Sequence, residues 1–413
     1  MCLMKPLEGD NMTPNEYAKE LEITLMGDSP DGKLSGGARI NTLINILKAK
    51  EVKINLVSYL AYSNKFKIEH KNVDDLLSST TIHFPSHWHR FLKAPLLLLF
   101  NFVYSWKSTK TSHLILSSGG SMLLQMPMIA VSKLRHKPFI FDYLDIEVEG
   151  IPESIYGYFM KNVTVVFAIS HYLVDKAKSY GCKNVVYVPA FVDTNLFQRN
   201  TKARERLRAN WRVNYDAIII GYAGALAYTE GIPILLQSFK NLSEKYPKLR
   251  LFILGTEQVI GQGDEIFGLV KKLNLEGKVT FIPPVPHAEV PNFLSACDIL
   301  CSPKVDCEIN RAANPIKVVE YLSMGIPTIC SSIGEVSLII QDMVNGFLVK
   351  PGDVKDLEER LEWIILNPER SKEIGEKGRN IAIEKYSSKA LQDTIGQAIS
   401  EIVDRKKRNK RGD

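Results

Sequence analysis

Short apolar runs alternate with helix-period segments along almost the whole chain, and this pattern narrows the possible folds more than any other feature. The first series opens with a strand at Glu22–Gly27, then a loop carrying Gly36-Gly37-Ala38-Arg39 and a helix near Ile40–Lys48. Further strands are expected at Lys53–Tyr59, His113–Ser117, Phe139–Asp142 and Val163–Ala168. A second series starts at Ala217–Gly221, with a helix over Ile232–Lys245 and strands at Arg250–Gly255, Val279–Ile282, Ile299–Ser302 and Pro327–Ser331. Apolar strands separated by helices require crossover connections, hence parallel sheets covered on both faces. The turn-rich connector Pro189–Phe197 divides the two series.

The expected fold is therefore α/β, with two Rossmann-like parallel-sheet domains. We place the first at 1–195 and the second at 196–385, with a closing helix at 386–404 and a basic tail at 405–413. Helices are also expected near Val354–Leu366 and Ser388–Val403, and the chain of 413 residues is long enough for two cores.

Met1–Asn11 has no apolar stretch of the kind a secretory leader carries, and the six cysteines are scattered. Both point to a reducing, cytoplasmic setting. Cys297, Cys301 and Cys307 cluster at a spacing that matches no zinc pattern, so they are expected as small buried hydrophobes. His83, His87 and His89 have no carboxylate or thiol beside them in sequence, and no metal is expected.

The net charge of +6 is unevenly placed. No acidic residue falls between Asp75 and Asp142, a stretch that holds Arg90, Lys93, Lys107, Lys110, Lys133, Arg135 and Lys137. Inside it lies the apolar run Phe91–Trp106, too short for a bilayer span of roughly 20 residues. Basic flanks and terminal aromatics (Trp88, Tyr104, Trp106) suit the 88–110 region to the inner face of a membrane, while a buried core helix explains the same residues. The tail Arg405–Arg411 reads as a disordered charge run able to tether to anionic lipid. Nucleic acid is disfavoured, because the aromatics sit in an apolar block instead of alternating with the basic residues.

The segment Asn314–Ile329 carries most of the functional information. Asn314 is expected to N-cap a short helix with Pro315 at its first position. The amides of Ile316 and Lys317 then point out of the helix start, where a phosphate can sit, and Lys317 adds a positive charge. Glu320, three residues on, shares the same side and offers a carboxylate to a sugar diol. A solvated surface pair is the plain alternative. However, the helix runs straight into an apolar strand and follows a loop leaving another, and ligands of open α/β sheets bind at such carboxyl edges.

These residues resemble the donor-site signature of GT-B-fold glycosyltransferases, in particular the retaining family 4 (glycosyl transferases group 1), in a Pro-x-Lys-x-x-Glu-Tyr form. The resemblance extends to Val186–Phe197, Ile218–Gly231 and Asn345–Val349 and so covers most of the chain. It implies two domains facing a central cleft, a nucleotide-diphosphate sugar as donor, no cofactor or metal, and transfer to an acceptor hydroxyl with retention. The acceptor would be a glycan or a lipid-linked, membrane-proximal molecule. By the resemblance Glu320 holds the ribose, and Lys317 with the helix start of Asn314, Ile316 and Lys317 holds the diphosphate. Gly36, Gly37 and Gly224 line the cleft, and Asp145 contacts the donor sugar or the acceptor.

The pattern is broken at four positions. Ala312 stands eight residues before Glu320, where the family usually has a second glutamate. Ala225 and Glu230 replace an arginine and a lysine that grip the diphosphate, with Arg39 and Arg311 as possible helpers to Lys317. Leu144 stands near an expected histidine, for which His171 is a second candidate. A non-catalytic GT-B partner or regulatory subunit, with a degraded donor site, is the alternative these losses support; an epimerase of the same fold is another.

Overall fold

The computed structural model describes residues 21–29, 35–85, 88, 90–119, 122–146, 152–255, 257 and 261–411, so Met1–Asn11, His87 and His89 lie outside the described residues. Two sheets organise them. The first contains β1 (Glu22–Asp28), β2 (Lys53–Ser63), β3 (Lys67–Asn72), β4 (Leu77–Pro85), β5 (Leu114–Ser118), β6 (Phe139–Tyr143), β7 (Val165–Ala168) and β8 (Val185–Tyr187). Their order is β3-β4-β2-β1-β5-β6-β7-β8, parallel except for the β3–β4 hairpin. The second contains β9 (Ile218–Ala223), β10 (Leu249–Leu254), β11 (Val279–Ile282), β12 (Ile299–Ser302), β13 (Thr328–Ser331) and β14 (Phe347–Val349), in the order β11-β10-β9-β12-β13-β14, all parallel.

The expected α/β architecture of two Rossmann-like parallel-sheet domains is thus present. Strands β3, β4 and β8 were not anticipated. The β3 sequence KIEHKN puts Lys67, Glu69 and Lys71 on one face and Ile68, His70 and Asn72 on the other, with almost no burial, so it carries little apolar signal. Its hydrogen bonds to β4 hold it in place. At β14, where the sequence suggests a turn, three residues are too few to show a period, and pairing with β13 makes them a strand.

Helix α1 spans Ser35–Ala49, so Gly36 and Gly37 form its first turn and do not sit in a loop. Glycine is a poor helix former, but the first turn makes few internal hydrogen bonds and tolerates it. The helix is anchored by its apolar face, with Ile40, Leu43 and Leu47 buried on the first sheet. Arg39 also turns inward. Its Nε and Nη2 donate to Asp142 Oδ2 and Oδ1 at 2.9 and 2.7 Å, Nη1 donates to Pro189 O at 3.0 Å, and the guanidinium stacks on Phe191. With both partners buried, this is a structural ion pair, and Arg39 is not a helper for a phosphate.

The apolar run forms α2, Arg90–Ser108, which packs against α3, Met122–Arg135. Leu97, Asn101 and Ser105 face inward, while Leu99 and Phe102 on α2 and Leu134 on α3 remain exposed. One face is core, as the buried-helix reading expects, and the other carries exposed apolar side chains. Cys297 and Cys301 are buried as expected, whereas Cys307 is only half-buried.

The last helix, Ser388–Arg411, continues through the basic run that was expected to be disordered. It returns to the first domain, where Leu391, Ile395 and Ile399 join the α1 core. The crossing is pinned by Val192 N donating to Tyr386 O at 2.8 Å and Ser388 N to Val192 O at 3.1 Å.

Replacing Arg39 with methionine leaves Asp142 buried without its bidentate partner. Unfolding in denaturant is expected to show a loss of about 3–5 kcal/mol, with nucleotide affinity of the folded fraction unchanged.

Candidate functional site in the second domain

The site is built on the short helix Ile316–Ser323. Its N-cap is Pro315 (φ −73°, ψ 112°), with no side-chain cap, so Asn314 is not the cap the sequence suggested. The helix begins one residue later than the sequence suggested, at Ile316, which leaves Asn314 outside the cap position. Its Nδ2 instead donates to Ile169 O of the first domain at 2.9 Å. The amides of Ile316 and Lys317 belong to the first turn, where no carbonyl inside the helix can accept from them.

Tyr321 fixes the helix to the sheet. Its buried hydroxyl accepts from Ala223 N at 2.7 Å and donates to Ala223 O at 3.0 Å, which clips the helix onto the carboxyl end of β9. The turn after β9 therefore lies beside Lys317. Gly224 there has φ 155°, and a Cβ on it would stand 2.5 Å from Lys317 Nζ. Only glycine lets the ammonium approach this backbone.

Lys317 Nζ lies 2.5 Å from Glu230 Oε2 and 3.1 Å from the Tyr222 hydroxyl, above the Tyr222 ring. Glu230 Oε1 in turn accepts from Lys304 Nζ at 2.9 Å, and Lys304 also donates to Asn310 Oδ1 at 2.8 Å. One carboxylate thus joins two lysines. Burial pushes the Glu230 carboxyl up, but the charges and hydrogen bonds of Lys317 and Lys304 outweigh it and bring it down to about 2. Burial also holds the Lys317 ammonium below the ordinary lysine value, against the pull of Glu230.

Glu320, almost fully buried, accepts at Oε1 from His287 Nε2 over 2.7 Å. The imidazole is half-exposed and packs on Phe197 at 5.2 Å between centroids. The hydrogen bond to Glu320 raises the His287 pKa above 6.5, with burial opposing it.

The first domain meets this region through its own carboxyl edge. Glu335, buried, accepts from His171 N at 2.6 Å and from the Tyr187 hydroxyl at 2.8 Å, so His171 is engaged in a contact between domains. Tyr172 donates to Glu308 Oε1 at 2.6 Å. Gly36, Gly37 and Asp145 follow β1 and β6, whose carboxyl ends lie on this same edge because the strands are parallel. Asp145 is exposed. Arg311 sits on the surface, paired with Asp306 at 2.7 Å, and does not join Lys317. Ala312 is buried.

Lys304, Tyr222, His287 and Glu335 escaped the sequence reading. Glu230 and Lys304 meet because β9 and β12 are neighbours, and strand order is not written in local periodicity.

Residues 203–381 match the family model of the glycosyl transferases group 1. That match lies within the second domain and includes Glu230, Lys304, Lys317 and Glu320. The second domain is similar to group 1 glycosyltransferase domains over that stretch. Among curated proteins, D-inositol 3-phosphate glycosyltransferase of Corynebacterium aurimucosum is 24% identical over 47% of this chain and 46% of its own. The putative teichuronic acid biosynthesis glycosyltransferase TuaC of Bacillus subtilis is 25% identical over 60% of this chain and 59% of its own. The chain spans about half the length of the curated relatives it matches.

Similar solved structures include sucrose-phosphate synthase of Thermosynechococcus elongatus, at TM-score 0.75 and 19% identity over 92% of this chain and 99% of that one. HepE of Anabaena in complex with UDP-glucose superposes at TM-score 0.71 and 17% identity over 92% of this chain and 100% of that one. These likenesses establish the GT-B fold for the chain as a whole.

Because the folded-state pKa of His287 is raised, its contribution to stability is fully present below 6.5 and is lost as pH rises through the higher folded value. NMR titration of the imidazole is expected to show this elevated pKa, and Glu320→Gln is expected to bring it back towards 6.5. An unchanged titration in that variant would contradict the pairing.

Proposed function

We propose that the protein is a retaining glycosyltransferase of the family 4 type, independent of metal, that moves a sugar from a nucleoside-diphosphate sugar to an acceptor hydroxyl. One observation carries this reading: Lys317 and Glu320 project from a single helix start at the carboxyl edge of a parallel sheet, opposite the corresponding edge of a second sheet. Support for the donor class comes from HepE, whose structures contain UDP, or UDP-glucose. Glycan synthesis fits the names of the curated relatives, among them a capsular polysaccharide biosynthesis glycosyltransferase of Staphylococcus aureus.

In this reading the ribose diol donates to Glu320, and His287 holds the other side of that carboxylate. The diphosphate lies against the amides of Ile316 and Lys317 and the Lys317 ammonium, and the Gly224 turn allows it to come close. As the bond from the anomeric carbon to the phosphate oxygen breaks, negative charge grows on the diphosphate, where these donors already point. The acceptor oxygen bonds to the same face of the sugar and passes its proton to the departing phosphate oxygen. Gly36 and Gly37 close the first-domain side of the cleft, and Asp145 orients the donor sugar or the acceptor hydroxyl.

The exposed Leu99, Phe102 and Leu134, within a stretch free of acidic residues, suit a membrane-proximal acceptor. No helix among the described residues is long and apolar enough to cross a membrane. Co-sedimentation with vesicles rich in anionic phospholipid is expected for the wild type and should be lost in a Leu99→Glu/Phe102→Glu variant. Equal sedimentation of both, or of neither, would remove the membrane contact.

Calorimetric titration with UDP, GDP and ADP tests the donor site. One nucleotide is expected to bind, and Glu320→Ala and Lys317→Ala should each weaken it by about 1.5–3 kcal/mol. Binding of none of the three would sink the enzymatic reading and favour a non-catalytic partner of the same fold.

A further inference from the structure

Glu230 stands where the resemblance calls for a phosphate-binding lysine, yet the structure does not treat it as a vacant position. The carboxylate sits in a frame built from the loops after β9 and β12 and the short helix Glu308–Ala312. It ends a short turn, Tyr228–Glu230, closed by Gly231 at φ 75°. A Cβ on Gly231 would come within 1.8 Å of Pro303 O, so the turn rests directly on the backbone that carries Lys304. Val305 N donates to Thr229 O at 3.2 Å, and Asn310 Nδ2 bridges Thr229 O and Val305 O at 2.8 Å each. Asn310 also accepts from Lys304, so the same residue steadies both the turn and the lysine.

The carboxylate is thus held by two ammonium groups on a turn that is itself bonded to its neighbours. Around the diphosphate position, apart from Glu320 at the ribose side, two lysines and one carboxylate then leave a single net positive charge. A nucleoside-diphosphate sugar brings one ionised oxygen on each phosphate. The free nucleoside diphosphate released by transfer has a terminal phosphate with a further ionisation, whose pKa is about 6. The fixed carboxylate therefore acts more strongly against the product than against the donor.

We propose that Glu230 is a specificity residue that sets the charge of the diphosphate site, so that the nucleoside-diphosphate product binds less tightly, relative to the donor, than two unpaired lysines would bind it. This rests on the donor-site reading above and adds to it the preference of that site for donor over product. Lys304 is part of the device, because it neutralises one oxygen of Glu230 and leaves Lys317 shared between the carboxylate and the ligand.

The test is to measure dissociation constants for UDP and UDP-glucose, or for the nucleotide pair that the wild type binds, in wild type, Glu230→Gln, Glu230→Asp and Lys304→Met. Removing the charge in Glu230→Gln should tighten the diphosphate on the order of tenfold and the sugar nucleotide clearly less. Glu230→Asp should keep the wild-type ratio. Weakening of both ligands alike in Glu230→Gln, the result of a purely positioning role, would overturn the proposal. If that variant does not fold, Lys304→Met decides. A larger loss for the diphosphate than for the sugar nucleotide supports the charge account, and equal losses overturn it. Should the wild type bind neither ligand of any base, the donor-site reading fails and this one with it; binding by the wild type with an unmoved ratio in the variants fails this one alone.

Discussion

Every parallel strand of a sheet ends at the same edge, and in this protein the carboxyl edges of two such sheets are turned towards each other. Among the contacts between them is a buried carboxylate, Glu335, inserted at the start of the helix His171–Ser179. A helix start offers unpaired amides and a partial positive charge, which suits a carboxylate taken out of water. Tyr187 completes the cage, and its hydroxyl pKa is pushed up by burial and by the Glu335 charge. Asn314 adds another link, from the segment that begins the helix Ile316–Ser323. These contacts tie the start of the helix Ile316–Ser323 directly to the first domain.

Within the second domain, positioning of the candidate site comes from polar groups that are paired before any ligand arrives. Tyr321 fixes the helix to β9, His287 holds one side of Glu320, and Glu230 holds both Lys304 and Lys317. Each of these groups would be costly to bury alone. Paired, they satisfy one another, and the geometry of the site follows from that requirement. The absence of the usual basic pair at Ala225 and Glu230 looked like simple erosion when only residue types were compared. In three dimensions one of the two replacements is the centre of a three-charge network.

Much of the architecture was legible from the chain. Strands buried on both faces read as continuous apolar runs, so β12 was located without a shift at either end, and the helix Ile232–Lys245 followed from its period. Elements whose stability comes from a neighbour were not legible. The β3 strand has no apolar face and β14 is too short for a period, while the last helix, expected over Ser388–Val403, runs on through its basic residues to Arg411. The same division applies to the site. Lys317 and Glu320 stand out because their spacing places them on one side of a helix. Arg39 and Arg311 were misjudged because sequence shows a charge but not its partner, and here the partners are Asp142 and Asp306.

What the sequence determined by itself was local: the alternation of strand and helix, the division into two domains, and the short helix that offers a lysine and a glutamate together. These depend on periodicity and on residues within a few positions of each other. Tertiary structure alone decided which loops meet, because strand order places the turn after β9 beside the loop after β12 and brings Glu230 to Lys304 across the sheet. It also decided which charges remain available to a ligand, since desolvation obliges each buried ion to find a partner, and that partner can lie anywhere in the chain.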